Sequence, residues 1–160
     1  LGWGHIMDTI RKADYFSMEV PNKVGEGARV LGGLRDAGIN LVAFTAFPSG
    51  RRAQIDFIPK DTAAFKSAAR KLGLKVGPRK TAFVVQGDDR PGAIAEICEK
   101  LANAGINMIA MDAASAGNGR YSGIFWTAPG DIRKAAKALG VTSAAEPGST
   151  SSMPTDLGGQ

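Results

Sequence analysis

Two stretches of the chain carry the same turn residues in the same order. Asn22-Lys23-Val24-Gly25 is followed by Gly38-Ile39-Asn40-Leu41, and Asp89-Arg90-Pro91-Gly92 by Gly105-Ile106-Asn107-Met108. The spacing is 67 residues at both anchors, from Gly25 to Gly92 and from Gly38 to Gly105, and Phe16, Leu34, Ala37 and Val42 fall on Phe83, Leu101, Ala104 and Ile109 without a gap. Self-similarity at a fixed period identifies an internal duplication, and here turn chemistry repeats together with the hydrophobic pattern. Each unit is expected to fold alike and to present a similar surface.

The length of 160 residues and the 44% hydrophobic content suit two small lobes sharing a core. A lone unit of about 65 residues would bury only about 60% of its unfolded surface, against nearly 70% for a body of about 150, so the halves should pack together. The expected boundaries are a leader at 1–13, a first unit at 14–78, a second at 79–145 and a Pro, Gly, Ser and Thr-rich flexible tail at 146–160. Leu1 to Ile6, which holds the single histidine His5, reads as an added segment ahead of a native start at Met7. No apolar run approaches the roughly 20 residues that span a bilayer, which predicts a soluble, cytoplasmic protein without a membrane partner. The single cysteine, Cys98, falls on a helical stripe with Ile94, Ile97 and Leu101 and is expected in the core.

Alternation from Tyr15 to Val20 predicts a strand, with Phe16, Met18 and Val20 on its buried side. Val24, Ala28, Leu31 and Leu34 then recur at helical spacing up to Gly38. Asn40 to Phe47 and Ala53 to Ile58 form a hairpin around Pro48-Ser49-Gly50, Asp61 caps a second helix with Phe65, Ala68, Ala69 and Leu72 on its buried stripe, and Leu74 to Val76 offers a fourth strand. The second unit replays this with a strand at Thr81 to Gln86, a helix at Ala93 to Ala104, a hairpin turning at Gly117-Asn118-Gly119, a helix through Ile132, Ala135, Ala136 and Leu139, and a last strand at Val141 to Ala144. The order βαββαβ, twice, predicts an α+β fold of two ferredoxin-like repeats. Each has an antiparallel sheet with helices on one face, the other face open, and the repeats packed together. An uncovered face and unpaired edges make pairing between the units the expected remedy.

The residue inventory argues against catalysis. With one histidine outside the repeat and one cysteine in a core stripe, no Ser/His/acid set, Cys/His pair or zinc cluster can be assembled, so catalytic residues, metal ligands and cofactors are all expected to be none. Gly25-Glu26-Gly27 begins like a dinucleotide fingerprint but has Val30 where the third glycine belongs, and no GxxxxGK[ST] string occurs. Asp88-Asp89, just before a helix, is expected to cap it. The net charge of +5 comes from scattered basic residues without the aromatic interleaving of a single-strand binder, so nucleic acid is not an expected partner.

The strand-to-helix turns carry the most information. A glycine at position 25 or 92 lets the backbone approach something closely, and the helix behind it offers free N–H groups and a partial positive charge suited to a small carboxylate. Gly-x-Asn after a helix is also common capping grammar, and Pro-Gly common turn grammar; duplicated at constant spacing within βαββαβ, the combination is far more specific. Asn40 and Asn107 begin the next strand, at the opposite end of their own unit from the turn, so a partner unit would be needed to bring either beside one.

At these residues the chain resembles the ACT domain, a small regulatory module of enzymes of amino-acid metabolism, in both repeats over roughly Tyr15 to Ala144. The likeness is nearest to stand-alone tandem ACT proteins. The resemblance implies a non-catalytic regulatory protein that binds an amino acid between units. The implied ligand-binding residues are Asn22, Lys23, Val24 and Gly25 with Asn40, and Asp89, Arg90, Pro91 and Gly92 with Asn107. It further implies homodimers and a metabolic enzyme or regulatory protein as partner. Val24 stands where the family motif has proline, and Asp89 where asparagine is frequent, which predicts unequal sites. The competing reading is a structural subunit that docks on a metabolic enzyme through its open sheet face without sensing a ligand.

Overall fold

A computed structural model describes residues 8–141; the expected tail at 146–160 and the leader residues 1–7 lie outside them. The elements run β1 (Thr9–Pro21), α1 (Glu26–Asp36), β2 (Leu41–Ser49), β3 (Arg52–Pro59), α2 (Thr62–Lys71), β4 (Lys80–Asp88), α3 (Ala93–Asn103), β5 (Met108–Gly117), β6 (Arg120–Thr127), a 3-10 turn at Pro129–Asp131, and α4 (Ile132–Ala138). Both halves therefore share one β-α-β-β-α order. Glycines in the left-handed region recur at the same spacing, Gly25 with Gly92, Gly38 with Gly105, Gly50 with Gly117 and Gly73 with Gly140, so the backbone repeats as faithfully as the sequence.

One six-stranded antiparallel sheet in the order β2-β3-β1-β4-β6-β5 joins the halves. β1 is 13 residues long and serves both. Its second half, Phe16 to Pro21, pairs with β3, while Thr9 to Tyr15 pairs with β4. Asp14 faces Thr81 across that seam, and these two positions are equivalents in the repeat, so a pseudo-twofold axis passes through the pair. Thr9 to Ala13, assigned from sequence to the leader, are thus strand.

The ferredoxin-like α+β class holds, with the helices on one side of the sheet. In the first half Phe16, Met18, Val20, Ile55 and Phe57 meet Val30 and Leu34 of α1 and Phe65 and Ala68 of α2. In the second, Phe83, Val85 and Phe125 meet Ile97 and Leu101 of α3 and Ala135 and Ala136 of α4. Val30 and Leu34, four residues apart, form the buried stripe of α1. Val24 and Ala28, expected on it, are exposed: Val24 because the left-handed Gly25 turns the chain and the helix begins only at Glu26, and Ala28 because it falls on the solvent side of the first turn. Cys98 is half-buried beside the fully buried Ile97 and Leu101.

Two further expectations are corrected. Leu74 to Val76 is not a strand: the link runs beside β1, where the Gly77 N–H donates to the Ser17 carbonyl at 2.8 Å, but Pro78 follows and has no N–H to continue the ladder. Val141 also stays outside any strand, and Thr142 to Ala144 lie outside the described residues. Second, the helix-free face is not open. The sheet curls so that β2 and β5, its two edges, line common cavities, and Ala13, Ile58, Ala82, Val84, Ile124 and Trp126 form a buried cluster there with Val42 and Ala43 against it. Right-handed strand twist accumulated over six strands supplies such a curl.

Packing and capping make two predictions. Phe65 is fully buried, with ring centroids 5.1 Å from Phe16 and 5.3 Å from Phe57. Phe65→Ala is expected to lower the unfolding free energy by about 3–5 kcal/mol, read from a shifted urea midpoint. The Asp61 carboxylate accepts the Ala64 N–H at 3.0 Å as expected, so Asp61→Ala should cost about 1 kcal/mol in the same assay.

Candidate functional site

The two strand-to-helix turns share an unusual property: each helix starts on a glycine and has no side-chain cap. Gly25 (φ 93) precedes α1 and Gly92 (φ 84) precedes α3. The Glu26 and Ala93 N–H groups turn back to the Lys23 and Arg90 carbonyls. The next two amides of each helix, Gly27 and Ala28 in α1, Ile94 and Ala95 in α3, have no protein acceptor among the described residues. Such donors at a helix N-terminus are where an anion gains both hydrogen bonds and the favourable end of the dipole. Each turn is held by its own hairpin, through Asn22 N–H to the Arg51 carbonyl at 3.0 Å and Asp89 N–H to the Gly119 carbonyl at 2.8 Å.

Asp88 and Asp89 do not cap α3. Asp88 accepts from Arg120 Nη1 at 2.6 Å, and Gly92 in the left-handed region occupies the capping position instead. Among the described residues no three His, Cys, Asp or Glu side chains converge on a common point.

The turns differ in their surroundings. Asn22, Lys23, Val24 and Gly25 are all exposed, Val24 to 103%. Asp89, Arg90 and Gly92 instead border a crevice of about 350 Å³ that continues along Ile94 and Ala95 to Ala113, Ala114 and Ser115 of β5. Arg90 bonds to Glu96 at 2.8 Å and lies 3.7 Å from Asp8, so its guanidinium is already engaged at the crevice edge. Pro91 is exposed at the tip of the turn. Among the described residues neither asparagine lines the crevice beside Gly92. Asn40 enters β2 and Asn107 enters β5, each at the end of its unit away from the turn, and the crevice beside Gly92 is walled by the far end of β5.

At the back of this crevice the Tyr121 hydroxyl donates to Asp8 Oδ2 at 2.7 Å. Burial and the Asp8 carboxylate hold the phenol well above its ordinary value. The folded state therefore favours the protonated phenol. The resulting stability is intact below the unfolded value of about 10 and is lost as pH rises above it. Melting temperatures of the wild type are expected to fall more steeply above about pH 10 than those of Tyr121→Phe.

A second concavity, on the helix-free face, escaped the sequence reading. Tyr15, Asp56 and Trp126 line it. The available signal was a departure from the repeat: Ser17 and Asp56 are polar where the second unit has Val84 and Ile124.

Among solved structures, protein BT0572 from Bacteroides thetaiotaomicron superposes with a TM-score of 0.72 at 20% identity, over 82% of this chain and 88% of that one. The regulatory subunits of aspartate kinase from Thermus thermophilus (TM-score 0.56, 18% identity, 84% and 96% covered) and Thermus flavus (0.53, 19%, 84% and 94%) are also similar. At these identities the likeness is one of fold. No curated protein sequence matches the chain. The family model that does match is that of the ACT domain, over residues 81–146, so the second unit, from β4 through α4, is an ACT domain whose topology the first half repeats.

Proposed function

We infer that the chain is a non-catalytic regulatory protein whose units bind a small amino acid at the glycine-opened turns. The observation that carries this reading is the pair of uncapped helix starts at Gly25 and Gly92, each with two amides that have no protein acceptor among the described residues. The amides of Ile94 and Ala95 suit the ligand carboxylate, which gains about 0.3–1 kcal/mol from the dipole alone. Asp89, repulsive to that carboxylate, faces the ammonium instead. A ligand of about ten heavy atoms reaches micromolar affinity at roughly 0.8 kcal/mol per atom, within the ceiling for very small ligands.

The asparagines require a second copy. Asn40 and Asn107 sit at strand starts remote from both turns of their own chain, so a homodimer that sets a strand start of one protomer beside a turn of the other completes each site. The exposed Val24 next to Gly25 gives such an interface an apolar contact. The first half is read as a second ACT unit because its four left-handed glycines coincide with those of the matched unit. The fold it shares with regulatory subunits of aspartate kinase supports the regulatory role. The rival reading, docking on an enzyme through an open sheet face, lacks its surface, since Ile58, Ala82, Val84 and Ile124 are buried there.

Screening the twenty amino acids by thermal shift tests the reading. A ligand at about a hundredfold over its Kd adds about 2.7 kcal/mol, and each kcal/mol raises Tm by about 2–4 °C for a chain of this size. Asn40→Ala with Asn107→Ala is expected to abolish the shift. Light scattering should show dimers that the ligand favours. Absence of a shift with any amino acid at millimolar concentration would overturn the assignment.

A further inference from the structure

Asp56 is a carboxylate buried on the helix-free face of β3, 7% exposed, with no lysine or arginine paired to it among the described residues. Its Oδ1 accepts from Ser17 Oγ at 2.6 Å and Gln54 Nε2 at 3.1 Å, and its Oδ2 from Thr45 Oγ1 at 3.4 Å. A carboxylate has about four acceptor positions, so these three donors leave capacity for another. Burying a charge without a counter-charge is costly, and neutral donors only partly compensate.

The duplication shows that the fold does not demand this cluster. Ser17 pairs across the sheet with Asp56, and Asp56 with Thr45; in the second unit the corresponding pairs are Val84 with Ile124, and Ile124 with Asp112. One strand pair of the same design is therefore built with an apolar centre. The polar centre of the first unit faces a cavity of about 780 Å³ between β2 and β5, lined also by Tyr15, Phe47, Met111 and Trp126. That size lies within the range of small-molecule sites.

The walls are apolar and aromatic. Tyr15 and Trp126 meet edge to face, with ring centroids 5.9 Å apart and planes at 78°. Phe47 and Ile109, both exposed, also line the cavity. Two cations, Arg79 and Lys80, also border the cavity, but they are exposed and engaged. Arg79 lies 4.0 Å from Asp14, and Lys80 stands 5.7 Å over the Tyr15 ring. Solvent screens such rim charges, whereas a charge as buried as that of Asp56 keeps most of its field.

We propose that this cavity binds a small primary ammonium compound with an aromatic or aliphatic body, the ammonium paired with Asp56 and the body seated among Tyr15, Phe47 and Trp126. The ammonium supplies the missing counter-charge and gains from the aromatic faces beside it. The site lies on the opposite sheet face from α1 and α3 and is independent of the amino-acid site at the turns.

Calorimetric titration of the 160-residue chain tests this, with phenethylamine as probe and 3-phenylpropionate as the anion of similar shape. Saturable binding of phenethylamine, at least about tenfold tighter than of 3-phenylpropionate, is expected, and Asp56→Asn should weaken it about tenfold or more. Glu19→Gln, which removes an exposed acid from β1, should leave it within about twofold. No saturable heat at millimolar amine, equal binding of the anion, or full affinity in Asp56→Asn would each overturn the proposal. Should Asp56→Asn fail to fold by circular dichroism, the amine-to-anion ratio of the wild type and an amine-dependent change in tryptophan fluorescence, absent in Trp126→Phe, decide the matter.

Discussion

The antiparallel pairing of β1 with β4 is the interaction on which the rest of the molecule depends. A strand of 13 residues reaches roughly 43 Å, enough for two neighbours in succession. β1 uses Phe16 to Pro21 to complete its own unit and Thr9 to Tyr15 to cover the edge of the other. Two edges that would otherwise be open to foreign strands are thereby used up. Because Asp14 meets Thr81, its own equivalent, the seam is self-complementary in the way a twofold dimer interface is, with the difference that one chain supplies both sides.

From that seam follows the curl, and from the curl the second core. Three strands from each half make a six-stranded twisted sheet, and its edges β2 and β5 approach each other across the helix-free face. Ala82 and Val84 of the central strand, which would face solvent in a flat four-stranded unit, are buried between them. The sheet therefore separates two environments. The turns at Gly25 and Gly92 present backbone donors at helix starts on one side, while Asp56 and the aromatic cavity lie on the other. The repeat keeps the first kind of feature in both halves and the second in only one. Backbone geometry set by left-handed glycines is copied with the duplication, whereas side chains on a face free of helices diverge without disturbing the fold.

The legible parts were those fixed by local chemistry. Gly38 and Gly105 end α1 and α3 as expected, Asp61 caps α2, and the hairpin at Gly117-Asn118-Gly119 turns where its residues require φ above zero. The errors arose where a neighbour decides the outcome. Val24 has the spacing of a core residue but precedes the glycine that starts the helix. Asp88 has the place of a cap, yet Arg120 opposite it on the paired strand β6 claims it. The end of β1 at Thr9 could not be read because Arg11 and Lys12 interrupt the apolar alternation, and the strand is held there by the ladder to β4 instead.

The sequence alone determined the duplication, the order of elements, the glycine-opened turns and the apolar stripes that meet the helices, because each depends on residues within a few positions of one another. Only the tertiary structure decided which edges join, which way the sheet bends and what the second face encloses. A period of two says that Tyr15, Ser17 and Glu19 share a face, but not that the face is covered. That depends on strands more than sixty residues away, and it leaves Asp56 buried beside a cavity.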